Sequence, residues 1–90
     1  MGFEFDPDKS KRNKEKLGID FVEAQLLWRD SRSIGFPGKS DDEPRFAMIA
    51  ELNSKLWVAF YTIRKGKIRI ISVRRTRKAE RKLYESKGFG

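Results

Sequence analysis

A chain of 90 residues, 38% of them hydrophobic, carries apolar surface for one domain over residues 1–90 and not for two. With no cysteine and no histidine, a disulfide framework and a thiolate metal site are excluded, and a zinc site would need carboxylates alone; no metal or cofactor is expected. The formal charge of +8 points to a polyanionic partner such as nucleic acid, or to an acidic protein that covers the basic patch; no apolar run approaches the roughly 20 residues that span a bilayer, and MGFEFDPDKS lacks a secretory pattern, so a cytoplasmic setting is expected.

Phe3-Glu4-Phe5 alternates as a short strand does. Asp6-Pro7 reads as a helix start, an Asp cap followed by proline in the first turn, and the helix ends at Leu17 because Gly18 permits a left-handed cap. This helix is so polar that it is expected to bury only a narrow stripe. Asp20 with Glu23 three residues on resembles a capping box, and opens a second helix that runs to about Asp30. Phe21, Ala24, Leu27 and Trp28 give it a wide apolar face, the expected main contact with a sheet.

Residues 31–44 hold two prolines and two glycines without periodicity and are expected to form a loop. Strands are expected over residues 45–52, 56–64 and 67–73, joined by short turns at Asn53-Ser54 and Lys65-Gly66. From Arg74 onward a last helix is expected, with Thr76 as its cap, Ala79 and Leu83 as its apolar stripe, and SKGFG frayed at its end. The expected class is therefore α+β in the order β-α-α-β-β-β-α, an antiparallel sheet with helices on one face.

Charge is placed unevenly. Between Arg64 and Lys82 every charged residue is basic except Glu80, whereas residues 1–23 nearly balance. If Lys65-Gly66 is a two-residue turn, Arg64 pairs with Lys67, Thr62 with Arg69, Phe60 with Ile71 and Val58 with Val73. The other face then joins Tyr61 with Ile70, Ala59 with Ser72, and Trp57 with Arg74. Two arginine sites result: Arg64 and Arg69 at the turn, and Arg74 with Ser72 beside Trp57 where the last helix begins. A guanidinium fork matches phosphate oxygens, and an aromatic ring beside it can stack on an unpaired base. Each arginine by itself is equally a solvated strand end or a solubilising helix residue; the group together points to a polyanion.

The run from Ile68 through Tyr84, IRIISVRRTRKAERKLY, resembles the C-terminal signature of the BrnT family, toxins of bacterial type II toxin–antitoxin pairs related to RelE-like ribonucleases. The opening F-E-F-D-P-x-K-x-x-x-N-x-x-K-x-G-I-x-F-x-E-A, Phe3 to Ala24, resembles that family's start, and R-F followed by L-W-V-A-F-Y-T-I-R fits its middle. The resemblance implies a RelE-like fold and metal-independent cleavage of mRNA, often on the ribosome, with growth arrest. It also implies a BrnA-type antitoxin that neutralises the toxin, with operator DNA bound only through their complex. Two positions depart from the pattern: Phe5 stands where the family has tryptophan in F-x-W-D, and Leu17 where it has the histidine of K-H-G. Leucine cannot carry a proton, so the alternatives are a catalytically impaired toxin, or a basic module that binds nucleic acid or protein without cleaving.

RNA cleavage of this kind needs the 2′-OH to lose a proton and attack the adjacent phosphate, while the added charge is stabilised and the 5′-oxygen is protonated. The proton carriers here would be Lys, Glu, Tyr or Arg. Expected catalytic residues are Arg64 and Arg74 as phosphate clamps, Glu80 and Tyr84 as proton acceptor and donor four residues apart, and Lys16 from the family's K-x-G position. RNA binding is expected from Arg69, Ser72, Arg75, Arg77, Lys78, Arg81 and Trp57. All these guanidinium groups are expected to converge on one pocket.

Overall fold

The computed structural model describes residues 2–38 and 43–88. β1 (Gly2–Glu4) leads into α1 (Pro7–Leu17). The Asp6 carboxylate accepts from the Asp8 N–H at 2.8 Å, and α1 closes at Gly18, whose φ of +83° a Cβ would strain. α2 (Phe21–Ala24) opens with the expected capping box: Asp20 Oδ1 accepts from Glu23 N–H at 2.7 Å, and Glu23 Oε1 accepts from Asp20 N–H at 3.0 Å. It tightens into a 3₁₀ turn over Gln25–Arg29.

α1 and α2 dock differently. Phe21, Ala24 and Leu27 are fully buried, as the periodicity predicts. The inward stripe of α1 is instead polar. Buried Ser10 accepts the Phe21 N–H at 2.9 Å; Asn13 donates to Ile19 O at 2.8 Å and accepts from Val73 N–H at 3.4 Å. Hydrogen bonds rather than apolar area hold this helix.

β2 (Ile34–Gly38), β3 (Arg45–Leu52), β4 (Lys55–Arg64) and β5 (Lys67–Arg75) complete one sheet in the order β1-β5-β4-β3-β2. Both expected hairpin turns form, with φ of +53° and +65° at Asn53 and Ser54 and +51° and +77° at Lys65 and Gly66.

Several expectations need correction. The segment expected as a loop contains β2, which sits at the sheet edge where Pro37 needs no inward N–H; residues 39–42 of that segment lie outside the described residues. β1 pairs with β5 in parallel, so the sheet is mixed and the order is β-α-α-β-β-β-β-α. The helices do not share one face. Ile19, Phe21, Ala24 and Leu27 cover a first face built on Met48, Ala50, Ala59, Ile70 and Val73. α3 (Lys78–Gly88) lies over the second, where Tyr84 packs on Ala47, Ile49 and Val58. Its inward side is Glu80 and Tyr84, whereas Ala79 and Leu83 are exposed, and it stays helical through Ser86 and Lys87; Phe89 and Gly90 lie outside the described residues.

The last correction moves the arginines. Tyr61 pairs with Ile70 as expected, but Phe60 pairs with Ser72, which leaves Ile71 as an extra residue in a β-bulge. Beyond it Val58 opposes Arg74 and Trp57 opposes Arg75. A one-residue slip reverses every later side chain. Arg74 therefore belongs to the second face, with Phe60, and Arg75 takes its place beside Trp57.

Candidate functional site

The bulge delivers Arg74 to the start of α3. Its Nη1 donates to Glu80 Oε1 at 2.9 Å, its Nη2 donates to Glu80 Oε2 at 2.8 Å, and its guanidinium carbon stands 5.3 Å from the Phe60 ring centre. Nη1 also donates to Arg75 O at 3.1 Å. An arginine has five N–H donors, so Nε–H and the second N–H of Nη2 are left without a partner among the described residues.

Glu80 is held as firmly. Its Oε1 also accepts the Arg77 N–H at 2.7 Å, so Glu80 satisfies the start of α3 in place of Thr76, whose buried hydroxyl has no partner among the described residues. The Arg74 fork, aided by the Arg77 N–H, holds the Glu80 carboxyl below its ordinary range despite burial. At neutral pH Glu80 is thus ionised and a weak base.

Tyr84 is buried, and its hydroxyl donates to Asp30 Oδ2 at 2.7 Å. The same oxygen accepts the Glu51 N–H at 2.9 Å, and Asp30 Oδ1 accepts the Arg32 N–H at 2.9 Å. Burial, then the bond to Asp30, pushes the Tyr84 hydroxyl up to about 12. Burial alone would raise Asp30, but its three hydrogen bonds outweigh that and hold its carboxyl below the usual value. The pair ties α3 to the chain that follows the 3₁₀ turn.

The remaining expected residues disperse. Ser72 lies on the same face as Arg74, opposite Phe60. Arg64 is exposed at the other end of that face, opposite Lys67. Val58, which opposes Arg74, is six residues from Arg64 along β4, a separation of ~20 Å. Arg69 is paired with Glu4 at 2.8 Å. Arg75 lies on the first face, its guanidinium carbon 5.3 Å from the Trp57 ring and its Nε donating to Leu56 O at 3.1 Å; Trp57 beneath it is buried. Arg77, just before α3, and Lys78 and Arg81 on it are exposed without an ion pair among the described residues. Lys16 is exposed in the last turn of α1 beside Leu17, likewise unpaired. One common pocket is not formed: Arg74, Glu80 and Ser72 gather at the β5–α3 junction, and Arg64 stands far from them.

Sequence reasoning missed Phe60 as the ring beneath Arg74, because the bulge was not foreseen. It also missed Arg45, which opens β3 opposite Thr62 and so stands on the second face near Arg64 and Arg69. The register of the Asn53-Ser54 hairpin could have found it.

The fold is that of a small basic α+β protein whose mixed sheet carries a fixed guanidinium–carboxylate pair where its last strand meets its last helix. Residues 5–80 match the ribonuclease toxin BrnT of type II toxin–antitoxin systems, and the chain belongs to that family. No curated protein matches it.

Proposed function

We propose that this chain is the toxin of a bacterial type II pair, a metal-independent endoribonuclease that cleaves mRNA, arrests growth and is neutralised by a BrnA-type antitoxin. The observation that carries the reading is the Arg74–Glu80 pair beside Ser72, inside the segment matched by the family. The 2′-oxygen attacks the neighbouring phosphorus, the bond to the 5′-oxygen breaks, and a 2′,3′-cyclic phosphate forms. The charge that builds on the non-bridging oxygens meets the two free N–H groups of Arg74, while ionised Glu80 keeps the guanidinium plane in place. Ser72 orients the phosphate. Charge stabilisation carries the rate, the 2′-OH proton leaves to water and the 5′-oxygen takes one from water.

Leu17 supports a second reading. It is 42% exposed at the end of α1, where the family pattern has a histidine, and it can move no proton. A chain so altered would bind RNA and leave it whole. Inducing the gene alone in bacteria, with Arg74→Ala and Leu17→His in parallel, separates the two readings. Growth arrest and RNA fragments that vanish with Arg74→Ala and increase with Leu17→His support the ribonuclease. Intact RNA in all three strains overturns it.

A further inference from the structure

Arg74 meets Glu80 along one edge of its guanidinium, where Nη1 and Nη2 each donate one N–H to the carboxylate. The two N–H groups without a partner among the described residues, Nε–H and the outer one on Nη2, lie side by side on the adjoining edge. That edge is a second fork, of the width that two oxygens of one phosphate span. The Glu80 bonds leave one soft motion, since the guanidinium can tip about the line joining the two carboxylate oxygens. Tipping swings the free fork through an arc.

Phe60 stands against that motion. Its ring centre lies 5.3 Å from the guanidinium carbon, which sits over the ring, and a cation is attracted to that face. The bulge makes the contact. With Ile71 as the extra residue, Phe60 opposes Ser72 and Val58 opposes Arg74, so Phe60 and Arg74 are diagonal neighbours on the second face. In an unbroken ladder Phe60 would face Ile71, and Arg74 would stand beside Trp57 on the first face. The ring has its own support: it opposes Ala47 on β3 and packs against the buried cluster of Ala47, Ile49, Val58 and Tyr84. It therefore keeps its place when the guanidinium moves.

We infer that Phe60 is a positioning residue: Glu80 holds Arg74 along one edge, and the Phe60 ring fixes the tilt of the guanidinium, so the free Nε–H and Nη2–H fork is already aimed when a phosphate arrives. The inference rests on the ribonuclease reading above. Kinetics separate this role from two others. A ring that only packs lowers stability and leaves the rate of each folded molecule alone. A ring that touches the substrate raises KM when it is lost. Loss of a ring that aims Arg74 lowers kcat with KM nearly unchanged, because the arginine's charge remains and only its alignment with the reacting phosphate is lost.

The test measures kcat and KM on a short RNA oligonucleotide for the purified full chain, Phe60→Leu and Phe60→Tyr, each corrected for its folded fraction by urea unfolding. Phe60→Leu keeps an apolar side chain without a ring and is expected to lower kcat by about 10- to 100-fold, with KM within about twofold. Phe60→Tyr keeps the ring and should recover most of the rate. If the leucine variant does not fold, Phe60→Met takes its place, its flexible side chain filling the same space. A second readout sees the contact itself. The Arg74 Nε–H resonance, identified in a nitrogen–proton NMR spectrum by its loss in Arg74→Lys, should be displaced by the ring current. It should move toward the position of an exposed arginine in Phe60→Leu and stay in Phe60→Tyr. An unchanged kcat or a raised KM in Phe60→Leu, or an unmoved Nε–H resonance, would overturn the positioning role alone. RNA left whole by the unaltered chain would overturn the ribonuclease reading, and the positioning role with it.

Discussion

Glu80 and Tyr84 lie four residues apart and so share one face of α3. Each has a partner that fixes what it can do: Glu80 receives the Arg74 fork, and Tyr84 donates to Asp30. Tyr84→Phe should cost about 1–2 kcal/mol in urea unfolding, because Asp30 loses one donor. RNA cleavage per folded molecule should be unaffected, since the hydroxyl serves the helix. Glu80 and Asp30 both have folded carboxyls held below their ordinary values of 4.5 and 3.8. Their stabilisation is therefore present above those values and lost as pH falls through the lower folded ones. Unfolding measured from neutral pH downward should show stability dropping below about pH 4.5. Glu80→Gln should start lower at neutral pH, by about 1–3 kcal/mol, and fall less steeply in acid. A variant curve parallel to that of the unaltered chain would contradict the assignment.

At the scale of the element, α1 shows how a polar helix is held. Asn13 joins Ile19 O to Val73 N–H, bonding a part of the β5 edge that β1, paired only with residues 67–69, does not reach. Asn13→Ala should destabilise by about 1–3 kcal/mol and speed hydrogen exchange at the Val73 amide. The boundaries of α1 and the start of α2 were legible in the sequence because their causes are local: Asp6-Pro7, Gly18, and Asp20 with Glu23 act within one turn. The hairpin turns were legible for the same reason. The start of the last helix was not, since β5 runs on through Arg75 and α3 begins at Lys78 rather than Arg74. β2 was not, since a strand containing two glycines and a proline has no alternation strong enough to show, and its partner β3 defines it. The bulge at Ile71 was hidden by Ile70-Ile71, where both faces are apolar and a slip exposes nothing obviously wrong. The α3 face was misread because Ala79 and Leu83 look more apolar than Glu80 and Tyr84, whose burial depends on partners far away in sequence.

For the molecule as a whole, the net charge of +8 was legible at once, but its distribution was not. Many acids have internal duties: Asp6 and Asp20 cap helices, Glu4 and Glu80 hold arginines, Glu23 holds Lys14, and Asp30 receives Tyr84. The excess cations are consequently left facing outward. The candidate site was half legible: Arg74 and Glu80 were named from sequence and pair, with Ser72 on the same sheet face as Arg74, whereas the distance to Arg64 depends on which strand residues are opposed. The most direct test of the ribonuclease assignment is single-turnover RNA cleavage by the purified chain with Arg74→Ala and Arg74→Lys. Removing a group aimed at developing charge costs about 100-fold or more, so Arg74→Ala should fall by that factor. Arg74→Lys, which lacks the planar fork, should recover only part of the loss. Arg74→Ala cleaving at the rate of the unaltered chain would contradict the assignment.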